Sequence, residues 1–159
     1  MSAPDDPDIR FMERALALAK VAEALGEVPV GAVVVHAGVI VGEGYNRREI
    51  DRDPLAHAEL VAIAQAAKAL DRWRLIGCAL YVTLEPCPMC AGAIVNARVE
   101  TLVYGTRDPR AGAVDTHYGI GKGPPLNHAC VVKEGVLGER AAAILKSFFA
   151  EKRQKKNTP

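Results

Sequence analysis

Three side chains in this sequence suit a zinc ion: His57, and the pair Cys87 and Cys90 set three residues apart. Three protein ligands leave a fourth position for water, which is the pattern of a catalytic site and not of a closed structural one. The i, i+3 spacing brings both sulfurs to one face of a helix start. Peptide N–H groups and the helix dipole favour thiolates there, lowering the cost of deprotonating them for a metal. Water on such an ion has a pKa of about 7, so a hydroxide nucleophile exists at neutral pH. Hydrolysis by that water also needs a carrier that takes its proton and delivers it to the leaving group. Glu59, two residues after His57, is the candidate.

Each residue also has a plainer reading. Cys-x-x-Cys alone is compatible with a redox pair, with half of a structural zinc site completed by Cys78 and Cys130, or with inert thiols. A lone histidine is commonly packed or at the surface, and a lone glutamate is commonly a solvated helix charge. Context tips the balance, because His-x-Glu and Pro-Cys-x-x-Cys both fall at places where the pattern predicts helix starts.

Asp6-Pro7 reads as an N-cap followed by proline, and Ile9, Met12, Leu16, Ala19 and Leu25 recur at helical spacing, predicting a helix from about Asp8 to Leu25. The β-branched run Val30 to Val35, the turn Ala37-Gly38 and the run Val39 to Val41 predict two antiparallel strands. Gly42 to Asp53 is polar and loop-like. Asp53-Pro54 repeats the cap-then-proline signature before an alanine-rich helix ending near Leu70, which would carry His57 and Glu59 in its first turn. Ala79 to Leu84 reads as a buried strand, Pro88 to Asn96 as a short helix and Thr101 to Tyr104 as a strand. Gly105 to Leu126 is rich in Gly, Pro and charge, a length at which an unstructured loop is usually functional. A strand at Ala129 to Val132 and an amphipathic helix from Val136 to about Lys152 close the chain. Alternating helices and strands predict an α/β fold, a sheet covered by helices.

At 159 residues, half of them hydrophobic and a quarter charged, the chain is expected to form a single domain spanning 1–159. Met1 to Arg10 carries three aspartates and no apolar run, so neither a secretory signal nor a membrane span is expected, and a cytoplasmic location is the default. Four cysteines in that compartment favour thiols or metal ligands over disulfides. The net charge of +1 gives no general attraction for polyanions, so any nucleic-acid site must come from local clustering. The visible cluster is Lys146, Lys152, Arg153, Lys155 and Lys156, which on charge alone reads first as a solvated C-terminal face.

His57-Ala58-Glu59 together with Pro86-Cys87-Pro88-Met89-Cys90 matches the known zinc deaminase signature, and this is recognition of a pattern and not an independent derivation. Beyond that core, the chain resembles the bacterial tRNA adenosine deaminases of the cytidine and deoxycytidylate deaminase superfamily. The similarity runs through Glu27 to Ala32, Ala56 to Glu59, Tyr81 to Ala93, Tyr104 to Asp108, Leu126 to His128 and Phe148-Phe149. The zinc core marks the superfamily, and the flanking stretches narrow it to the tRNA enzymes. The resemblance implies a three-layer α/β/α sandwich around a mixed five-stranded sheet, assembled as a homodimer. It makes His57, Cys87 and Cys90 ligands of one zinc per subunit and Glu59 the proton shuttle. Asn46 matches a residue that reads the flipped base or its sugar, Val30 and Leu84 match pocket walls, and Asp108 matches a carboxylate beside a ribose 2′-hydroxyl. Read without the family, Asn46 is a loop-capping asparagine and Asp108-Pro109 a plain turn.

The implied reaction converts the wobble adenosine of an arginine tRNA anticodon loop to inosine. RNA affinity would then rest on Arg107, Arg110, Lys152 and Arg153 more than on net charge. Phe148 and Phe149 cannot both face the core, which leaves one to stack on a base or to bury against a dimer partner. The sequence departs from many relatives at Thr106, where a smaller alanine is common, and the stretch from Asp115 to Pro125 is irregular. The rival readings are a deaminase of free guanine or of a cytosine nucleoside, and a zinc-stabilised RNA-binding module without catalysis. The first lacks a use for the basic final helix and Arg107-Asp108, and the second lacks a use for Glu59.

Overall fold

The computed structural model describes residues 5–157. Helix α1 (Pro7–Ala24) starts as the sequence predicts: Asp6 is the N-cap, its carboxylate accepting from the Asp8 N–H at 2.9 Å. Strands β1 (Gly31–His36) and β2 (Val39–Tyr45) form a hairpin whose turn residues Ala37 and Gly38 both have positive φ. Then follow α2 (Ala58–Leu70), β3 (Cys78–Leu84), α3 (Pro88–Asn96), β4 (Thr101–Thr106), β5 (Val131–Glu134) and α4 (Gly138–Lys156). The sheet order is β2-β1-β3-β4-β5, with β1 antiparallel to β2 and β3, and the β3–β4 and β4–β5 pairs parallel.

Alternation along the strands divides the core in two. Ala32, Val34, Leu80, Val82, Leu102 and Tyr104 point to one face and pack with Ala58, Ala62, Ala66 of α2 and Ala91, Ile94 of α3. Val33, Val35, Tyr81 and Val103 point to the other and meet Phe11, Met12, Ala15 and Leu16 of α1 and Ala141 of α4. The result is the three-layer α/β/α sandwich with a mixed five-stranded sheet. No described helix is long and apolar enough to cross a membrane.

Helix α2 lies unusually close to the sheet because its buried face is alanine and the strand beneath offers Gly42 and Gly44. A Cβ at Gly44 would fall 2.4 Å from the Ala58 carbonyl oxygen, and one at Gly42 2.2 Å from that of Ala62. These glycines explain why β2 continues to Tyr45 through a stretch whose polarity predicts a loop. Three other boundaries differ from expectation. Asp53 does not cap α2: its carboxylate accepts from the Leu55 N–H at 2.9 Å in a preceding turn, and the helix begins at Ala58 with His57 as N-cap. The last strand lies two residues later than its apolar run predicts, and α4 starts after Leu137, a residue in left-handed conformation.

Candidate metal and catalytic centre

His57, Cys87 and Cys90 are brought together by two helix starts. His57 is extended (φ −79°, ψ 151°) ahead of α2, and its side chain makes no capping bond, leaving the ring free to turn toward α3. Cys87 is the N-cap of α3, Pro88 supplies the preset φ of the first helical position, and Cys90 follows in the first turn, fully buried. His57 Nδ1 stands 3.6 Å from Cys87 Sγ and 3.4 Å from Cys90 Sγ. A tetrahedral zinc with bonds of about 2.3 Å to sulfur and about 2.0–2.1 Å to nitrogen requires an N···S separation of about 3.6 Å. The three donors therefore have the spacing of a zinc site, and they are the His/Cys/Asp/Glu cluster among the described residues whose ligand atoms all lie within 4.8 Å of one another.

Cys78 and Cys130 do not join them. Cys78 begins β3 whereas the centre follows the end of that strand, and the Cys130 thiol donates to the Val99 carbonyl oxygen at 3.3 Å. The thiol pair at the centre is polarised. Hydrogen bonds from Cys90 and His57 pull Cys87 down to about 4 against the opposing effect of burial. The Cys90 thiol is pushed up by its bond to Cys87, by burial and by the charge of Glu59. His57 is raised, mainly by the bond to Cys87.

Glu59 is the second residue of α2 and only 4% exposed. Burial, reinforced by the Cys87 charge, pushes its carboxyl up to about 7. It sits with His57 and Cys87 in the lining of a cavity of about 910 Å³. Val30 and Leu84 wall that cavity, as does Asn46, whose amide donates to the Val28 carbonyl at 3.4 Å while its oxygen accepts from the Arg48 N–H at 3.3 Å. Asn46 thus both caps its loop and faces the cavity.

Arg107, Asp108, Arg110, Phe149 and Arg153 line the same cavity. The Arg107 guanidinium is engaged by Glu134 through two bonds, of 2.7 and 3.0 Å. Asp108 accepts from the N–H groups of Arg110 (3.0 Å) and Ala111 (3.2 Å), so one oxygen holds its own turn. The phenylalanine pair divides cleanly: Phe148 is 6% exposed in the core, Phe149 is 43% exposed and faces the cavity. Lys152 lies on the other side of Phe149, its ammonium 5.1 Å from the Phe148 ring, in a shallow groove shared with Lys155 and Lys156.

Sequence reasoning passed over two buried carboxylates that hold the cavity's loops. Glu27 is 1% exposed and accepts from the N–H groups of Glu49 (2.9 Å) and Ile50 (3.5 Å). Glu85 accepts from loop residues Asp108, Val114, Asp115 and Thr116. Burial tends to raise the Glu85 carboxyl, but the bonds from Thr116, Asp115 and Asp108 outweigh it and leave its pKa below the ordinary carboxylate value. The available signal was a charged residue closing an apolar strand, immediately before proline. Arg48 also lines the cavity without having stood out in the sequence, and it is joined there by Leu145 and by Lys146 of the C-terminal basic cluster.

Residues 5–106 match the family model described as the cytidine and deoxycytidylate deaminase zinc-binding region. The chain is 48% identical over 149 residues to the tRNA-specific adenosine deaminase of Bacillus subtilis (strain 168), covering 94% of this chain and 92% of that one. It is 45% identical over 150 residues to the tRNA-specific adenosine deaminase of Haemophilus influenzae, covering 94% and 87%. A solved structure from work on A-to-I editing by tRNA:A34 deaminases superposes with a TM-score of 0.83 at 44% identity, covering 86% of this chain and 99% of that one. A guanine deaminase from Nitrosomonas europaea superposes with a TM-score of 0.75 at 28% identity, covering 94% and 86%.

Proposed function

The chain belongs to the cytidine and deoxycytidylate deaminase family, and from that premise we propose that it converts the wobble adenosine of a tRNA anticodon loop, in an arginine tRNA, to inosine. The observation that carries this reading is the contrast between the sheltered and the exposed lining of one cavity. Glu59 is buried and His57 and Cys87 are half-buried, while Arg48, Arg110, Lys146, Arg153 and Phe149 are exposed and form its mouth. In a chain with a net charge of only +1, cations gathered at that mouth support a polyanionic substrate whose reacting base enters and whose backbone stays outside.

His57 Nδ1, Cys87 Sγ and Cys90 Sγ would hold one zinc ion, which when bound supplies a water of pKa about 7. Glu59, buried beside them, takes the proton of that water. It passes the proton to the ring nitrogen N1 of adenine as C6 gains the water oxygen. Glu59 then takes the hydroxyl proton remaining on the oxygen at C6 and delivers it to the 6-amino group, which leaves as ammonia as the C6 carbonyl forms, so that adenosine and water become inosine and ammonia. Val30 and Leu84 flank the base, and Asn46 meets the base edge or its sugar. Asp108 accepts from a 2′-hydroxyl, Arg110 and Arg153 meet phosphates, and Phe149 stacks on a flanking base. An anticodon loop already splays its bases, so extruding one costs less than it would from a duplex. The protein works as a single deaminase domain and as a homodimer, in the cytoplasm, where its substrate is found.

The likeness to a guanine deaminase keeps one alternative in view, the same centre acting on a free base. Ammonia release measured over free bases, nucleosides and an anticodon stem-loop separates the two. The proposed function requires turnover of the stem-loop, and turnover of guanine alone overturns it. Glu59→Ala is expected to keep zinc and RNA binding while lowering the rate about 10²- to 10⁴-fold. Near-normal turnover with zinc retained would place the proton carrier elsewhere.

A further inference from the structure

The loop from Arg107 to Ala129 contains no helix or strand, yet it supplies Asp108, Arg110 and Ala111 to the cavity. A segment of that kind has to be held against the conformational entropy of its backbone. The holding group is Glu85, 2% exposed at the end of β3. One of its oxygens accepts from the Asp108 N–H at 3.1 Å and the Thr116 hydroxyl at 2.5 Å. The other accepts from the N–H groups of Val114 (3.1 Å), Asp115 (2.9 Å) and Thr116 (2.9 Å). Both ends of the stretch from Asp108 to Thr116 are thus tied to a single carboxylate. Its middle is tied to the next residue, the Ala113 N–H reaching the Pro86 carbonyl at 2.9 Å.

We propose that Glu85, with Gly112 packed over it, is the positioning residue that sets the substrate-facing loop at the cavity mouth and thereby governs capture of the nucleic-acid strand. Two features make the role specific. The first is chemical: all the groups facing Glu85 are donors, and a carboxylate offers two acceptor oxygens where an amide offers one acceptor and one donor. Glutamine has the same shape, yet whichever way its amide is turned, its NH₂ confronts at least one backbone N–H that cannot accept, and only the Thr116 hydroxyl can turn to receive it. The second is steric: a Cβ on Gly112 would lie 2.2 Å from the nearer Glu85 oxygen and 2.6 Å from the Asp108 carbonyl oxygen. The loop crosses the carboxylate at a distance only glycine permits. Glu85 is two residues from Cys87, but the recorded bonds of its carboxylate all run to the loop. Its removal is therefore expected to affect substrate capture more than the chemical step.

This inference rests on the proposed action on an anticodon loop, and its test has two parts so that the two can fail separately. Amide hydrogen exchange on the full-length, zinc-loaded protein needs no substrate: Glu85→Gln should expose the amides of Asp108 and Val114 to Thr116 while those of β3 stay protected. Unchanged exchange at those amides overturns the mooring itself. Steady-state deamination of an anticodon stem-loop is then compared among wild type, Glu85→Gln and Gly112→Ala. Both variants should raise KM at least about tenfold, the equivalent of one lost charge-assisted hydrogen bond, with kcat within about threefold and one zinc per chain. A fall in kcat at constant KM, or loss of zinc in both variants, assigns Glu85 to the metal centre or the core and overturns the proposal. A wild-type protein that leaves the stem-loop unreacted counts against the proposed function, and the exchange result stands apart from it.

Discussion

Adding a single methyl group at Gly44 should move the catalytic centre. The new Cβ would stand 2.4 Å from the Ala58 carbonyl oxygen, 2.8 Å from the Ala62 nitrogen and 2.9 Å from the Val61 Cβ, where ordinary contact begins at 3.4 Å. Two of those three neighbours are backbone, so no side-chain rotation relieves the clash and the start of α2 must rise by about 1 Å. Ala58 lies between His57 and Glu59, so one metal-donor side chain and the proposed proton carrier would move with it. Overpacking of this kind costs about 1–3 kcal/mol of stability, and a misplacement of about 1 Å costs roughly 10²-fold in rate. Gly42→Ala separates the two effects. It meets the Ala62 oxygen at 2.2 Å and the Ala66 nitrogen at 2.9 Å, one turn farther from the centre, and should lose similar stability with a smaller loss of rate. Gly92→Ala is the control: on α3, nothing lies within 4 Å of its Cβ, and the change should be neutral or stabilising by up to about 1 kcal/mol. Urea unfolding, zinc per chain and single-turnover inosine formation on a stem-loop read all three. Wild-type stability and rate in Gly44→Ala would show that this contact does not seat α2.

Cys78→Ser and Cys130→Ser should each retain about one zinc per chain whereas His57→Ala loses it, because neither thiol reaches the centre; metal loss in either serine variant would mean a closed structural site. Asp108→Asn keeps an oxygen for the Arg110 and Ala111 amides, so it removes charge without opening the turn. Its single-turnover rate ratio on paired RNA and single-stranded DNA should move toward DNA by about tenfold, since a carboxylate needs the 2′-hydroxyl donor and an amide does not; an unchanged ratio leaves Asp108 as a turn residue. Deleting residues 152–159 removes Arg153 from the cavity mouth and Lys152, Lys155 and Lys156 from the adjoining groove. The slope of log affinity against log salt should flatten by about 0.7 per lost contact to a single strand, and an unaltered slope would show the tail to be a solvated end.

What was legible in the sequence is what local patterns encode. The cap at Asp6, the Ala37-Gly38 turn and the start of α3 that carries the two cysteines are each specified within a few residues, and the structure realises them. The misreadings have a common origin in distant partners. Gly42 to Tyr45 reads as loop because its glycines look like turn residues, when their purpose is to admit α2. Asp53-Pro54 has the chemistry of a helix start, but the chain delays the helix so that His57 can turn its ring toward Cys87 and Cys90. The stretch beyond Gly105 has no period of its own because its order is imposed by Glu85, a residue more than twenty positions away in the chain. Phe148, by contrast, shares the apolar side of the final helix with Ala141, Ile144 and Leu145 at helical spacing, and it is the phenylalanine the structure buries.

The cavity has a division of labour that follows the chain. The residues proposed to bind the ion and carry the proton all precede Thr106, inside the stretch matched by the family model. From Arg107 to Arg153, the chain contributes other parts of the lining, with Asp108, Arg110, Lys146, Phe149 and Arg153 among them. Such an arrangement lets selection work on two parts of one protein at different tempos. The early part is constrained by the geometry of a single ion, and the later part is free to change what is brought to it. Because Val30, Asn46 and Leu84 also belong to the early part, the later part can vary what is met outside the cavity without disturbing the walls within it.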